Sequence, residues 1–461
     1  MTAYAGRKSM VEGTSRTSST NDYVRVLCVI AFTIVFLFAL AAGQPFQKKS
    51  EILFPAIVAS LFSFYGFFIC GRRLVNASSA ASYGVLMFIG FPAIFGALGL
   101  YSSSKSYTAE SLIVVLMLGF LFQCGLVLAS DQHPPSRQDW QQSVQKISYF
   151  LAKDPSTLSH VLRLSIVMFL LFLVASIVGP GIAAAGFSWI AMLGGAIVAF
   201  WSSRILTRFC GIAVVLVTFI VETGLALGSF GRLNLAVLAI SLLVIASLRM
   251  NSWMPKLTTA ILTGPILTYL VNQRVEFLQA ERGSGLVNEA EGVGSVVGPF
   301  HSAATIADAV IQNRIDLAWG ETLFNAVVIL IPRALWEDKP VGFGREIVEV
   351  TQPWLVSSAT FSDAGTFIGE AIWNFGIWLA PIYLLGFIVF IRLLDRRLER
   401  FLEQQPVFPE FLVLIMISAA TGTTLNIIWG SASTAVIRTL FPLIFLFIVW
   451  FLAMKPGKTS K

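Results

Sequence analysis

Apolar runs of about 20 residues, separated by short polar breaks, recur along almost the whole chain. They do not alternate polar and apolar positions in segments of about ten, as strands of a membrane β-barrel do. Apolar runs of about 18 residues or more read as helices that cross a bilayer. About twelve such spans are predicted at roughly 20 residues each, at 24–43, 52–70, 83–101, 110–130, 162–179, 186–202, 208–228, 233–249, 256–272, 366–391, 408–428 and 434–454. The expected fold class is all-α, a polytopic helical membrane protein. Residues 1–23 are polar and Ser/Thr-rich and read as a disordered cytoplasmic tail. The run that follows is long enough to stay as an uncleaved anchor, which distinguishes it from a signal peptide. The expected organisation is then a transmembrane bundle over 24–272, a large loop over 273–365, C-terminal transmembrane helices over 366–454 and a short tail over 455–461.

The loop breaks the rhythm, because connections this long are uncommon. Within it, apolar residues from Ile306 to Ile331 recur mostly at helical spacing. They predict two amphipathic helices lying at the membrane surface, broken near Trp319-Gly320. Gly283 to Gly298 is Gly-rich and reads as flexible.

Charge decides orientation. The chain is 56% hydrophobic and 12% charged, with a net charge of +7, and its mean hydropathy is +0.78. The excess Lys and Arg sit in short loops, so nucleic acid is not expected as a partner. Most clusters, among them Arg72-Arg73, Arg249 with Lys256, and Arg392 to Arg400, fall on one face. By the positive-inside rule that face and both termini are cytoplasmic, and the large loop is outside. Cys28, Cys70, Cys124 and Cys210 fall in or beside apolar runs without any CxxC spacing, and read as reduced packing residues.

Candidate chemistry gathers near the outer face. No GxxxxGK[ST] cradle occurs, which argues against an ATP-driven pump, and no HExxH or Cys/His cluster marks a metal site. The most informative stretch, charged and punctuated by Pro and Gly, runs from Ile331 to Arg345 and holds Arg333, Lys339, Gly344 and Arg345. Arginine offers a planar fork of donors that suits a diphosphate. The same stretch also reads as membrane-surface snorkelling with Trp336 as an interfacial anchor, and both readings stand. Charges inside spans are costly and usually face a cavity. Glu222, Arg232, Glu370 and Arg438 are all placed near the outer ends of spans. A Glu222–Arg232 ion pair explains two of them structurally; an outward-facing site explains all four. His301 is the one histidine in the outer loop.

With these residues in place, the chain resembles the Wzy-type O-antigen polymerase, or oligosaccharide repeat-unit polymerase, family. The resemblance rests on Ile331-Pro332-Arg333-Ala334-Leu335-Trp336 with Lys339-Pro340, on Trp319-Gly320-Glu321-Thr322, on Gly369-Glu370 with Asn374-Phe375-Gly376, and on the turn Gly228 to Arg232. The spacing of Arg333 and Gly344 looks like an Arg-X10-Gly pattern of some members. The resemblance implies a fold like the GT-C class of membrane glycosyltransferases and a bacterial inner-membrane location. It implies glycosyl transfer between undecaprenyl-diphosphate-linked oligosaccharides, with a chain-length regulator as a protein partner and no cofactor or metal. Arg232, Lys339, Gly344, Arg345 and Arg438 would hold the diphosphate beside Arg333, and Glu370 or His301 would be the base. An O-antigen ligase, which typically carries a His in the outer loop, and a flippase are the rival readings.

Overall fold

The computed structural model describes residues 49–98, 107–130, 137–178, 181–227, 232–250, 252–263, 289–328, 331, 335–351, 363–403, 407–436, 439 and 441–454. Among them the regular structure is helical throughout. The helices are α1 Leu53–Ile69, α2 Ala77–Ala97, α3 Ala109–Ala129, α4 Arg137–Lys153, α5 Pro155–Val178, α6 Gly181–Trp201, α7 Ile205–Leu227 and α8 Arg232–Met250. They continue with α9 at 254–263, α10 Glu289–Ile311, α11 Glu321–Val328, α12 Phe343–Thr351, α13 Thr366–Glu403, α14 Phe408–Trp429, α15 Ala432–Ala435 and α16 Phe441–Met454. The expected span at 24–43 and the second half of 256–272 lie outside the described residues.

Six of these helices are long and apolar enough to cross a membrane: α2, α3, α5, α7, α13 and α14. The apolar stretches of α1, α6, α8, α10 and α16 are shorter. The outward faces agree. On α5, Ile166, Leu170, Val174 and Ile177 are exposed, and on α7 so are Ile205, Phe209, Leu216 and Ile220. A soluble monomer rarely exposes so continuous an apolar face, whereas hydrocarbon solvates it. The chain is a helical membrane protein. At the other extreme α14 is buried along most of its length and packs against α2, α8 and α13. Where α6 crosses α7, a side chain on Gly211 would meet the Gly195 carbonyl oxygen at 2.7 Å. Glycine there lets two backbones approach, the usual device of membrane helix pairs.

The α1–α2 connection is held by opposite charges at opposite helix ends. Lys256 Nζ donates to the carbonyls of Phe67 at 2.7 Å, Phe68 at 3.2 Å and Cys70 at 2.6 Å. The Asp395 carboxylate accepts from the Ala77 N–H at 2.8 Å and the Ser78 N–H at 3.4 Å. Helix ends leave such carbonyls and N–H groups unmatched, and charge of the right sign completes them. The sequence places Lys256 at the junction of a short loop and the span 256–272; it is fully buried, because three carbonyls replace its water.

The large-loop region departs most from expectation. Phe300, His301, Ser302, Ala303, Ala304, Ile306 and Ala307 of α10 are buried on successive faces. α10 therefore is not a surface amphipathic helix; it packs between α3 and α13. Residues 289–298, read as flexible from their glycines, form its first turns. Further along α10, small residues permit close packing: Ala303 lies against Gly369 of α13. The break near Trp319-Gly320 is present, with φ of 48° and 93° at those residues.

Candidate functional site

Gly376 organises the site. Its backbone sits at φ 68°, ψ 175° inside α13, a region open in practice only to glycine. The break divides α13 into a short arm, 366–375, and a long arm beyond it. Glu370 and Tyr383 would be about 20 Å apart along an unbroken helix at about 1.5 Å per residue, beyond the reach of their side chains. The bend brings the Tyr383 hydroxyl to Glu370 Oε2 at 3.0 Å.

The break also exposes carbonyls at the end of the short arm, and the turn before α11 covers them. The Ala318 N–H donates to the Trp373 carbonyl at 3.0 Å and the Trp319 N–H to the Asn374 carbonyl at 2.9 Å. The Gly320 N–H donates to Asn374 Oδ1 at 2.9 Å. This latch accounts for the left-handed backbone at Trp319 and Gly320. It also seats α11 over the short arm.

Glu370 is fully buried among neutral donors. Besides Tyr383, its Oε2 accepts from the Ala432 N–H at 2.8 Å, and its Oε1 accepts from Thr322 Oγ1 at 3.3 Å. Asn374 Nδ2 donates to that Thr322 oxygen at 2.6 Å and to the Glu370 carbonyl at 2.8 Å. A buried carboxyl without such donors would be very costly. One turn on from Thr322, Asn325 presents the same face of α11. Its Nδ2 donates to Glu346 Oε1 on α12 at 3.0 Å. α11 thus serves two carboxyl groups, one through Thr322 and one through Asn325. Burial pushes Glu346 up to about 7; the charges of Glu321 and Glu349 add to the rise and the Asn325 hydrogen bond opposes it. A carboxyl group poised near neutrality beside one held in a donor shell is equipped for proton transfer.

His301 is not on a mobile loop. It is fully buried in α10, with its Nδ1 2.5 Å from the Tyr107 hydroxyl and its ring stacked on that tyrosine. A side chain on Gly96 would meet His301 Cε1 at 2.9 Å. α10 and α13 are packed, with Gly369 against Ala303, yet His301 and Glu370 face different neighbours.

Of the expected diphosphate ligands, Lys339 Nζ donates to the Ile331 carbonyl at 2.6 Å. The Gly344 carbonyl accepts from the Asp363 N–H at 2.7 Å, and the Asp363 carboxylate accepts from Ser302 Oγ at 2.9 Å. The first turn of α12 is so tied to α10. Arg345 is half-buried in that turn. Arg333 and Arg438 lie outside the described residues, as does the side chain of Arg232, which opens α8. Glu222, read either as a partner of Arg232 or as part of an outward-facing site, is buried and hydrogen-bonded to Ser188.

Sequence reasoning missed Glu346 and Tyr383. Glu346 sits one residue past Arg345, and only the fold of α11 against α12 marks it. Tyr383 is an ordinary aromatic in an apolar run until the Gly376 bend is known.

No family model, curated protein or solved structure matches the chain.

Proposed function

We propose that this chain is a bacterial inner-membrane glycosyltransferase that polymerises undecaprenyl-diphosphate-linked oligosaccharide repeat units at the outer face. The observation that carries the reading is the joining of two family-like segments, Trp319-Gly320-Glu321-Thr322 and Gly369-Glu370 with Asn374-Phe375-Gly376. They lie about 50 residues apart in a chain whose connections usually take a few residues. Yet the Gly320 N–H meets Asn374, and Thr322 meets Glu370.

In the proposed reaction the acceptor's sugar hydroxyl attacks the donor's anomeric carbon. A new carbon–oxygen bond forms as the bond from that carbon to the diphosphate oxygen breaks. The undecaprenyl diphosphate leaves with the electron pair, and Glu370 takes the hydroxyl proton. Arg232, Arg333, Lys339, Arg345 and Arg438 are assigned to the diphosphate, whose charge grows in the transition state, with Gly344 shaping the loop. The accompanying architecture is about twelve spans of roughly 20 residues in a GT-C-like fold, with both termini cytoplasmic and a chain-length regulator as partner.

Deleting the gene and resolving surface glycans on a gel tests the reading. The expected outcome is loss of long chains with single repeat units retained. Loss of all surface glycan would instead indicate a ligase or a flippase.

A further inference from the structure

A second feature lies away from the carboxylates. A cavity of about 610 Å³ runs between α2, α6, α7, α8 and α9, with Val296 of α10 and Leu425 of α14 also lining it. Its volume falls within the range of small-molecule sites, but its chemistry does not suit a sugar. Among the described residues, none that lines it is charged. The Tyr83 and Thr263 hydroxyls bond each other at 2.5 Å, and Thr263 also donates to the Thr259 carbonyl at 2.6 Å. The cavity wall on α8 runs from Ala236 to Ala246, about 15 Å at helical rise, or half of a hydrocarbon core about 30 Å thick. Small side chains such as Ala199 and Ala239 hold the space open. The mouth is apolar, since the lining residues Leu216 and Leu262 are 54% and 44% exposed on the outer flank.

The cavity is aligned with the site above it. Val296 precedes His301 by five residues on α10. Leu425 lies about one turn before Trp429, where α14 ends, and the next helix, α15, opens with Ala432, whose N–H holds Glu370. A ligand with its head group at Glu370 would run its tail down this wall.

We infer that the cavity binds the hydrocarbon chain of a polyisoprenyl carrier, a reading that rests on the proposed lipid-linked substrate. The chain enters sideways from the bilayer between α7 and α9. The wall aligns the tail, and the tail aligns the diphosphate with the donors of the outer face.

The test uses the purified full chain in nanodiscs of phosphatidylglycerol doped with undecaprenyl phosphate. Lipid retained after extraction is read by native mass spectrometry. The wild type is expected to retain undecaprenyl phosphate. Ala239→Phe and the milder Ala199→Leu, which fill the cavity, should lower retention about tenfold. Ile220→Phe, on the outer face of α7, should not. A thermal midpoint held or raised in the filled variants separates occlusion from misfolding. Undiminished retention in both filled variants overturns the assignment, as does loss of phosphatidylglycerol in place of the isoprenoid. If filling the cavity removes the lipid but the wild type never elongates glycans, the cavity assignment stands and the polymerase reading fails.

Discussion

Glu370 has every hydrogen bond it needs from neutral groups, so its charge is not fixed by a partner among the described residues. That makes its removal informative. Glu370→Gln keeps the shape and leaves the lipid cavity intact. It should lower single-turnover transfer by about 10²–10⁴-fold, the usual contribution of a general base, while donor binding holds. Weakened donor binding in that variant would make Glu370 a support for the cations instead. Glu346 gives a separate signature. A carboxyl raised from 4.5 to about 7 by burial stabilises the folded state when protonated, and that contribution is complete below the ordinary glutamate value. It is lost as pH rises through about 7. The protection of α11 and α12 amides, measured relative to their intrinsic exchange rates, should therefore fall between pH 5 and about 8 and recover on acidification. Glu346→Gln should flatten the profile, and an unchanged profile would show that Glu346 is not the group responsible. Glu370, Thr322 and Asn374 were legible because they sit in or beside recognisable segments. Glu346 and Lys256 were not, because their burial depends on partners more than 15 residues away, Asn325 in one case and the end of α1 in the other.

At the scale of elements, apolar run length placed the helices well. α3 at Ala109–Ala129 and α14 at Phe408–Trp429 nearly coincide with the expected 110–130 and 408–428. Run length says nothing about breaks inside a helix, so the bend at Gly376 was invisible in the run over 366–391. Periodicity found only the C-terminal part of α10 and set it at the membrane surface, since residues buried on every side leave no polar stripe to read. The bend is testable. A methyl at Gly376 would lie 3.5 Å from the Leu317 side chain, ordinary contact, so only backbone strain opposes it. Gly376→Ala should cost about 1–3 kcal/mol and loosen the latch at 318–320. The measurement is thermal unfolding in detergent together with protease cleavage near Trp319. A variant with normal stability and an uncleaved turn would show that the bend is not held by glycine's freedom.

The whole molecule combines a lipid-facing flank of α5 and α7, a buried spine at α14 and a polar latch joining α11, α13 and α15. Orientation follows from loop charges alone, and it can be checked on exposed positions. In a cysteine-free background, Asp338→Cys should react with an impermeant thiol reagent added to intact cells, and Lys153→Cys should not. Reversed labelling would place the latch on the cytoplasmic face and remove the outer-face site. The most direct measurement of the central claim uses lipid extract from the deletion strain, which supplies the native repeat unit whatever its sugars are. Added to the purified chain in nanodiscs, it should yield a ladder of longer lipid-linked oligosaccharides, with one undecaprenyl diphosphate released for each glycosidic bond formed. Repeat units that stay single, or diphosphate released without any lengthening, would contradict the account.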